Sequence, residues 1–203
     1  MLGKKTIGMI GFGQIARAMV ARLVGWNINI LAYARRVHAD VPPNVTWVGL
    51  DRLLTESDVV SVLASLNIET KELLNAERLS LLKQGAVLVN TARGGIIDET
   101  ALYEFALQRP DIQLALDTFA KEPLPQDSPL WALPNAILTP HMVGHTQESL
   151  AAVPTTAVEN ISWILAGEPP LNICNPEVLS HWRSRWLHAQ AGGHDQDDHK
   201  AFR

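Results

Sequence analysis

The sequence predicts a doubly wound α/β fold, an open parallel sheet followed by a C-terminal helical extension. From Thr6 to Pro140, short β-rich apolar runs alternate with segments of helical period. Gly11, Gly13 and Ala16 form a G-x-G-x-x-A turn directly between the first run and the first helical segment. Arg93, Glu122 and His141 each stand just past the end of an apolar run, in AVLVNTARGG, LALDTFAKEP and AILTPHMVGH. In an open parallel sheet such positions converge on one crevice, although they are far apart along the chain.

The first run, TIGMIGF, precedes a helix on which Ile15, Met19, Leu23 and Ala16, Val20, Val24 are expected to share one inward face. Gly25 stops it, and Arg17 and Arg22 fall on its outer side. A second strand in NINILAY and a short third in VTWVG lead to a small helix near Asp51 to Glu56 and the strand DVVSVLA. Nearly continuous apolar runs of this kind are buried on both faces. Thr70 is expected to cap the next helical stretch and Gly85 to end it, before the strand AVLVNTA. Asp98 then opens a helix whose inward face is Ala101, Leu102, Phe105 and Ala106, and Pro110 ends it ahead of the strand IQLALDTF. Residues 120 to 135 form a Pro-rich connection. A helical pattern from about Gln147 to Leu165 contains Pro154, which is expected to kink or divide it. The predicted organisation is a dinucleotide-binding domain over 1–145, a crossover helix with the remnant of a second domain over 146–188, and a polar, mobile tail over 189–203.

Composition narrows the partners. The chain has 203 residues, 47% of them apolar, enough for a packed core. A net charge of -4 without a basic cluster argues against nucleic acid. Cys174 is the only cysteine, so the chain forms no internal disulfide and a reducing, cytoplasmic setting is expected. No stretch approaches the ~20 apolar residues of a membrane span. The start, MLGKKTIGMIGFG, places lysines before an apolar run as a leader peptide does, but its glycines suit a phosphate-binding turn.

In that turn, Gly11 permits the tight bend, Gly13 lets backbone approach a pyrophosphate, and Ala16 allows close helix-strand packing, as in Rossmann-like folds. Amides near Gln14 and Ile15 at the helix N-terminus face the phosphates. The end of the second strand reads Tyr33-Ala34-Arg35-Arg36, with no acid to bond ribose hydroxyls. Guanidiniums there pair with a 2′-phosphate, so NADP is favoured and NAD remains possible. A guanidinium, a carboxylate and an imidazole meeting in one crevice make an acid-base site for a small anionic substrate. The glycine turn alone also suits a methyltransferase, and the fold alone suits a non-catalytic dinucleotide-sensing or protein-binding module. The tail histidines, His181, His188, His194 and His199, lack metal-ligand spacing, and Trp182 and Trp186 form a packing stripe.

Residues 6 to 149 resemble the nucleotide-binding domain of the D-isomer-specific 2-hydroxyacid dehydrogenases, the family that includes glyoxylate/hydroxypyruvate reductases and phosphoglycerate dehydrogenases. LVNTARGGIIDE, LALDTFAKEPLP, SPLWALPNAILTPH and GHT follow the dinucleotide turn in the family's order. The resemblance implies that Arg93 binds the carboxylate and carbonyl of a 2-oxo acid, His141 exchanges a proton with the carbonyl oxygen, and Glu122 orients His141. It also implies that Asp117 lies by the nicotinamide, that the Thr91-Ala92 backbone lines the cofactor, and that Gly94, Gly95 and Gly144 leave room for close approach. Glyoxylate or hydroxypyruvate is the implied substrate.

Two departures from the family stand out. Leu63 and Ser65 occupy positions in VLASLNIET where it more often has a histidine and a proline. Met1 lies only a few residues before the first strand, where members of the family carry an N-terminal segment of the substrate domain. The expectation is therefore a chain that forms one wall of the cleft, with a homodimer, or a partner chain supplying the other wall, to cover an apolar crossover helix.

Overall fold

The computed structural model describes residues 3–35, 42–182 and 184. It divides into two compact units, residues 1–143 and 144–203. The first contains a seven-stranded, all-parallel sheet: β1 Thr6–Ile10, β2 Asn29–Tyr33, β3 Val45–Trp47, β4 Val59–Val62, β5 Val87–Asn90, β6 Gln113–Leu116 and β7 Ala136–Leu138. Spatial order is β3-β2-β1-β4-β5-β6-β7, so the chain winds outward from β1 to β3 and then returns past β1 to β4. The switch point between β1 and β4 opens a crevice at the carboxyl edge.

Register makes that edge straight. Tyr33, Ile10, Val62, Asn90, Leu116 and Leu138 lie in one row across six strands. A second row of hydrogen bonds continues it one residue on, from Gly11 N to Tyr33 O (2.8 Å), Leu63 N to Ile10 O (2.8 Å), Asp117 N to Asn90 O (2.9 Å) and Thr139 N to Leu116 O (3.0 Å). Whatever residue type follows each strand is thereby delivered to the same ledge.

Helices cover both faces. On one, α1 (Gln14–Arg22) packs Ala16 and Val20 onto Ile7, Met9, Ile30 and Ala32. On the other, α2 (Leu50–Glu56), α3 (Ala76–Ser80) and α4 (Glu99–Gln108) bury Leu53, Leu54, Leu79, Leu102 and Phe105 against Val60, Leu88 and Leu114. Each such side chain, fully buried, contributes roughly 1.5–3 kcal/mol. The inward face expected of α4 is the buried one, and the Asp98 side chain caps it by accepting from Thr100 and Ala101 N–H.

Local structure departs from expectation in three places. Ile15 is 65% exposed because the buried face of α1 is centred on Ala16 and Val20, and Val24 is exposed because α1 ends at Arg22, before the helical face reaches it. Arg17 is half-buried, with its guanidinium 5.6 Å from the Phe12 ring centroid. Thr70 caps no helix: Asn67 Oδ1 accepts from Glu69 and Thr70 N–H, holding residues 67–72 in turns, and α3 starts later with Asn75 as its cap. A helix from Thr70 is prevented two residues later: Glu72 has φ +49°, and the N–H groups of Glu72 and Leu74 donate to Gly95 O (2.8 Å) and Ile96 O (3.1 Å) instead of to a preceding turn.

In the second unit, α5 (Gln147–Leu165) starts on a capping box between Thr146 and Ser149 and is not divided at Pro154. No residue of α5 is buried, and Leu150, Val153, Val158, Ile161 and Leu165 are exposed. The expected tail over 189–203, Trp186 and three of the tail histidines lie outside the described residues.

Candidate active site and dinucleotide crevice

At the switch point, Gly11 has φ +96°, and a Cβ there would meet Ala64 N at 2.6 Å. Only glycine fits the bend and the close approach of the chain that leaves β4. Gly13, at the N-cap of α1, is the reverse case: a Cβ would meet nothing within 4 Å among the described residues, so the space beside it is open. No side chain caps α1, which leaves the amides of its first turn, at Gln14 and Ile15, facing outward. An adjoining cavity of about 560 Å³ runs from Gly11 and Gly13 to Tyr33, Ala34 and Arg35. A dinucleotide's pyrophosphate and adenosine fit this donor set, size and open approach. Arg35 reaches the cavity, where its guanidinium is paired with Glu69. Arg36 lies outside the described residues.

A second cavity, about 470 Å³, is lined by Ile15, Leu63, Ser65, Thr91, Ala92 and Arg93. Exposure of Ile15 is thus part of this wall. Thr91, Ala92 and Arg93 follow β5, and buried Asn90 fixes their path: its Nδ2 donates to Arg93 O (3.0 Å) and its Oδ1 accepts from Ala92 N (3.1 Å). The exposed Arg93 side chain donates through Nη1 to Ala92 O at 2.6 Å. Gly94 is buried, and a Cβ on it would fall 1.8 Å from Phe119 C. Its close approach is therefore to the chain after β6.

That chain carries Glu122. Glu122 Oε1 accepts from Phe119 N (3.0 Å), and Oε2 lies 2.7 Å from His141 Nδ1. The hydrogen bond with His141 holds the Glu122 carboxyl below its usual range, helped by Phe119 N–H and by the charge of Arg93. An ionised carboxylate only accepts, so Nδ1 carries the proton and Nε2 is the nitrogen left for chemistry. His141 has φ +52°, a left-handed conformation that is uncommon for a side chain with a Cβ and recurs at functional sites.

Asp117 holds that conformation in place. It is 3% exposed; Oδ1 accepts from Thr139 Oγ1 (2.5 Å) and Met142 N (2.9 Å), and Oδ2 from Val143 N (3.1 Å). Burial pushes its pKa up, but these bonds and the His141 charge outweigh it, and the carboxyl stays below its usual range. Its bonding reaches the loop that carries His141, a role with no signal in the local sequence. Glu99, which carries no local sequence signal either, accepts from Ala120 N, and burial with the nearby Glu122 charge raises its pKa against that bond. Gly144 belongs to the second unit, where its carbonyl accepts from Ser149 Oγ (2.5 Å).

The ledge therefore brings Glu122 and His141 into contact and Arg93 into electrostatic range of Glu122. Residues 1–143 match the model of the D-isomer specific 2-hydroxyacid dehydrogenase, NAD binding domain. The chain belongs to this family. It is 42% identical over 86% of its length to glyoxylate/hydroxypyruvate reductase B of Pectobacterium carotovorum subsp. carotovorum, covering 56% of that protein. Among solved structures, D-lactate dehydrogenase with NAD+ from Lactobacillus jensenii superposes at TM-score 0.77 with 29% identity, over 83% of this chain and 55% of that one. A D-isomer specific 2-hydroxyacid dehydrogenase from Xanthobacter autotrophicus Py2, in complex with NADPH and MES, gives 0.70 with 36% identity, over 85% and 72%. The chain spans about half the length of the curated relatives it matches. No cluster of histidine, cysteine or acidic residues suited to a metal, and no helix long and apolar enough to cross a membrane, occurs among the described residues.

Proposed function

We propose that this dehydrogenase-family chain forms the cofactor-binding and acid-base wall of an NAD(P)H-dependent reductase of small 2-oxo acids, with NADPH favoured and glyoxylate or hydroxypyruvate as substrate. The Glu122–His141 contact at 2.7 Å carries the reading, because it fixes one imidazole tautomer at the carboxyl edge of the sheet. His141 Nε2 donates the proton that the carbonyl oxygen gains on reduction. Glu122 keeps the ring oriented and stabilises its protonated form, and Arg93 binds the substrate carboxylate. A bound nicotinamide supplies the hydride. Gly11, Gly13, Gln14, Ile15, Thr91 and Ala92 hold the cofactor beside it, and Arg35 and Arg36 read the adenosine end. Asp117 acts through the His141 loop.

The reading assigns residues 1–145 to the dinucleotide domain and 146–188 to the crossover segment. The exposed apolar residues of α5 support a homodimer or a partner segment as their cover. A cytoplasmic setting is part of this reading, supported by the single Cys174, which leaves no internal disulfide.

Titration of the 203-residue chain with NADPH and, in parallel, NADH, followed by nicotinamide fluorescence, tests the cofactor site. Saturable binding that favours NADPH is expected, and binding of neither refutes it. Glyoxylate reduction by the complete protein tests the acid: His141→Ala is expected to lower kcat by roughly 10²-fold or more. Full activity in that variant refutes the role, and cofactor binding with no turnover of any 2-oxo acid points to a sensing module instead.

A further inference from the structure

The adenosine end of the crevice carries a carboxylate as well as a guanidinium. Arg35 and Glu69 both line the cavity, come from segments 34 residues apart, and meet in an ion pair through Arg35 Nη1 and Glu69 Oε2. The glutamate is held from behind. Its N–H donates to Asn67 Oδ1 (2.9 Å), and Thr70 Oγ1 donates to Ser65 O (2.7 Å) while accepting from Asn67 N (2.8 Å). Those bonds pin the turn after β4, so Glu69 projects from a fixed wall, whereas Arg35 stands at the start of the connection that leaves β2.

We infer that Glu69 is a specificity-determining residue for the nicotinamide cofactor: it competes with the 2′-phosphate of NADPH for Arg35 and so narrows the preference over NADH. The inference rests on the cofactor reading above. A 2′-phosphate is a near-dianion with three strong acceptor oxygens and displaces a single carboxylate from a guanidinium. Displacement leaves the Glu69 charge unpaired beside the phosphate, a repulsion that NADH, with a neutral 2′-hydroxyl, does not meet. The pair is well exposed, with 66% and 56% of the two side chains accessible, so water screens it and the effect is moderate.

The test is a fluorescence titration of the 203-residue chain, Glu69→Gln and Arg35→Ala with NADPH and with NADH at low salt. Glu69→Gln is close in shape and removes only the charge. It is expected to tighten NADPH roughly three- to tenfold while changing NADH less than about twofold, with the gain shrinking at high salt. In an Arg35→Ala background the residual gain from Glu69→Gln should be smaller, since the competition for the guanidinium is gone. Equal shifts for both cofactors, or no shift for NADPH, overturn the inference while leaving the cofactor site intact. A parent chain that binds neither cofactor overturns both.

Discussion

Asp117→Asn isolates what the buried carboxylate does for the His141 loop. In the parent, Oδ1 accepts two hydrogen bonds and Oδ2 one. Asparagine keeps one oxygen and sets an amide donor against Val143 N–H, so at least one charge-assisted bond is lost and the others weaken to neutral ones. A hydrogen bond to a charged group is worth about 1.5–3 kcal/mol, and Val143 is exposed enough for its N–H to recover some bonding from water. The expected loss at pH 7 is therefore about 1.5–3 kcal/mol, a drop of roughly 1 M in the urea midpoint for a chain of this size. Acid supplies the sign. The folded-state pKa of Asp117 is depressed, so its contribution is fully present above the unfolded carboxyl value near ~4 and is lost as pH falls through the folded value. The parent should thus approach the variant as pH falls below about 4, and urea unfolding carried into acid reads it. An unchanged midpoint at pH 7, or a gap that stays constant into acid, would refute the assignment of these bonds to an ionised Asp117.

Gly11→Ala is expected to destabilise the fold by roughly 2 kcal/mol or more, because its φ and the contact at 2.6 Å both exclude a Cβ. Gly13→Ala, with open space around it, should change stability by less than about 1 kcal/mol yet weaken NADPH binding, and thermal melts beside cofactor titrations separate the two. Asn90→Ala removes both bonds that pin the Arg93 loop and should cost about 1–3 kcal/mol, read as a lower Tm; a Tm within a degree of the parent refutes the pinning. At the opposite edge, Asp58 is drawn down to about 2 by its hydrogen bond from Lys83, with Thr6 N and Lys5 adding to it. Its share of stability should fade between about pH 4 and 2, and Asp58→Asn should cost about 1–2 kcal/mol at pH 7 after allowance for its two exposed lysine partners, as measured by urea unfolding.

The strands, their parallel sheet and the ledge are readable because strands buried on both faces are almost uninterrupted apolar runs, and parallel topology sends every run's C-terminal end the same way. Asp98 was readable because its capping bonds are local. Periodicity misplaced Ile15 because the first turn of α1 overhangs the crevice, so an apolar residue there faces a cavity instead of the core. Thr70 caps no helix because Glu72 turns left-handed and the N–H groups of Glu72 and Leu74, which a helix would have used, bond the distant Gly95 and Ile96 carbonyls. The contacts that position the site, Asp117 to residues 139–143 and Arg35 to Glu69, join segments more than twenty residues apart. No local pattern encodes such pairs, and only the folded sheet reveals them.

Gly94 has one further consequence. Its α-carbon is seated against the Phe119–Ala120 peptide, so the turn that presents Arg93 and the turn that presents Glu122 are welded at a single backbone joint. The backbones that carry the two side chains are thereby held to one another. Damage on either side of the joint transmits to the other, and substitutions in the two turns should act on turnover as lesions of one part, with a double variant little worse than the more severe single one.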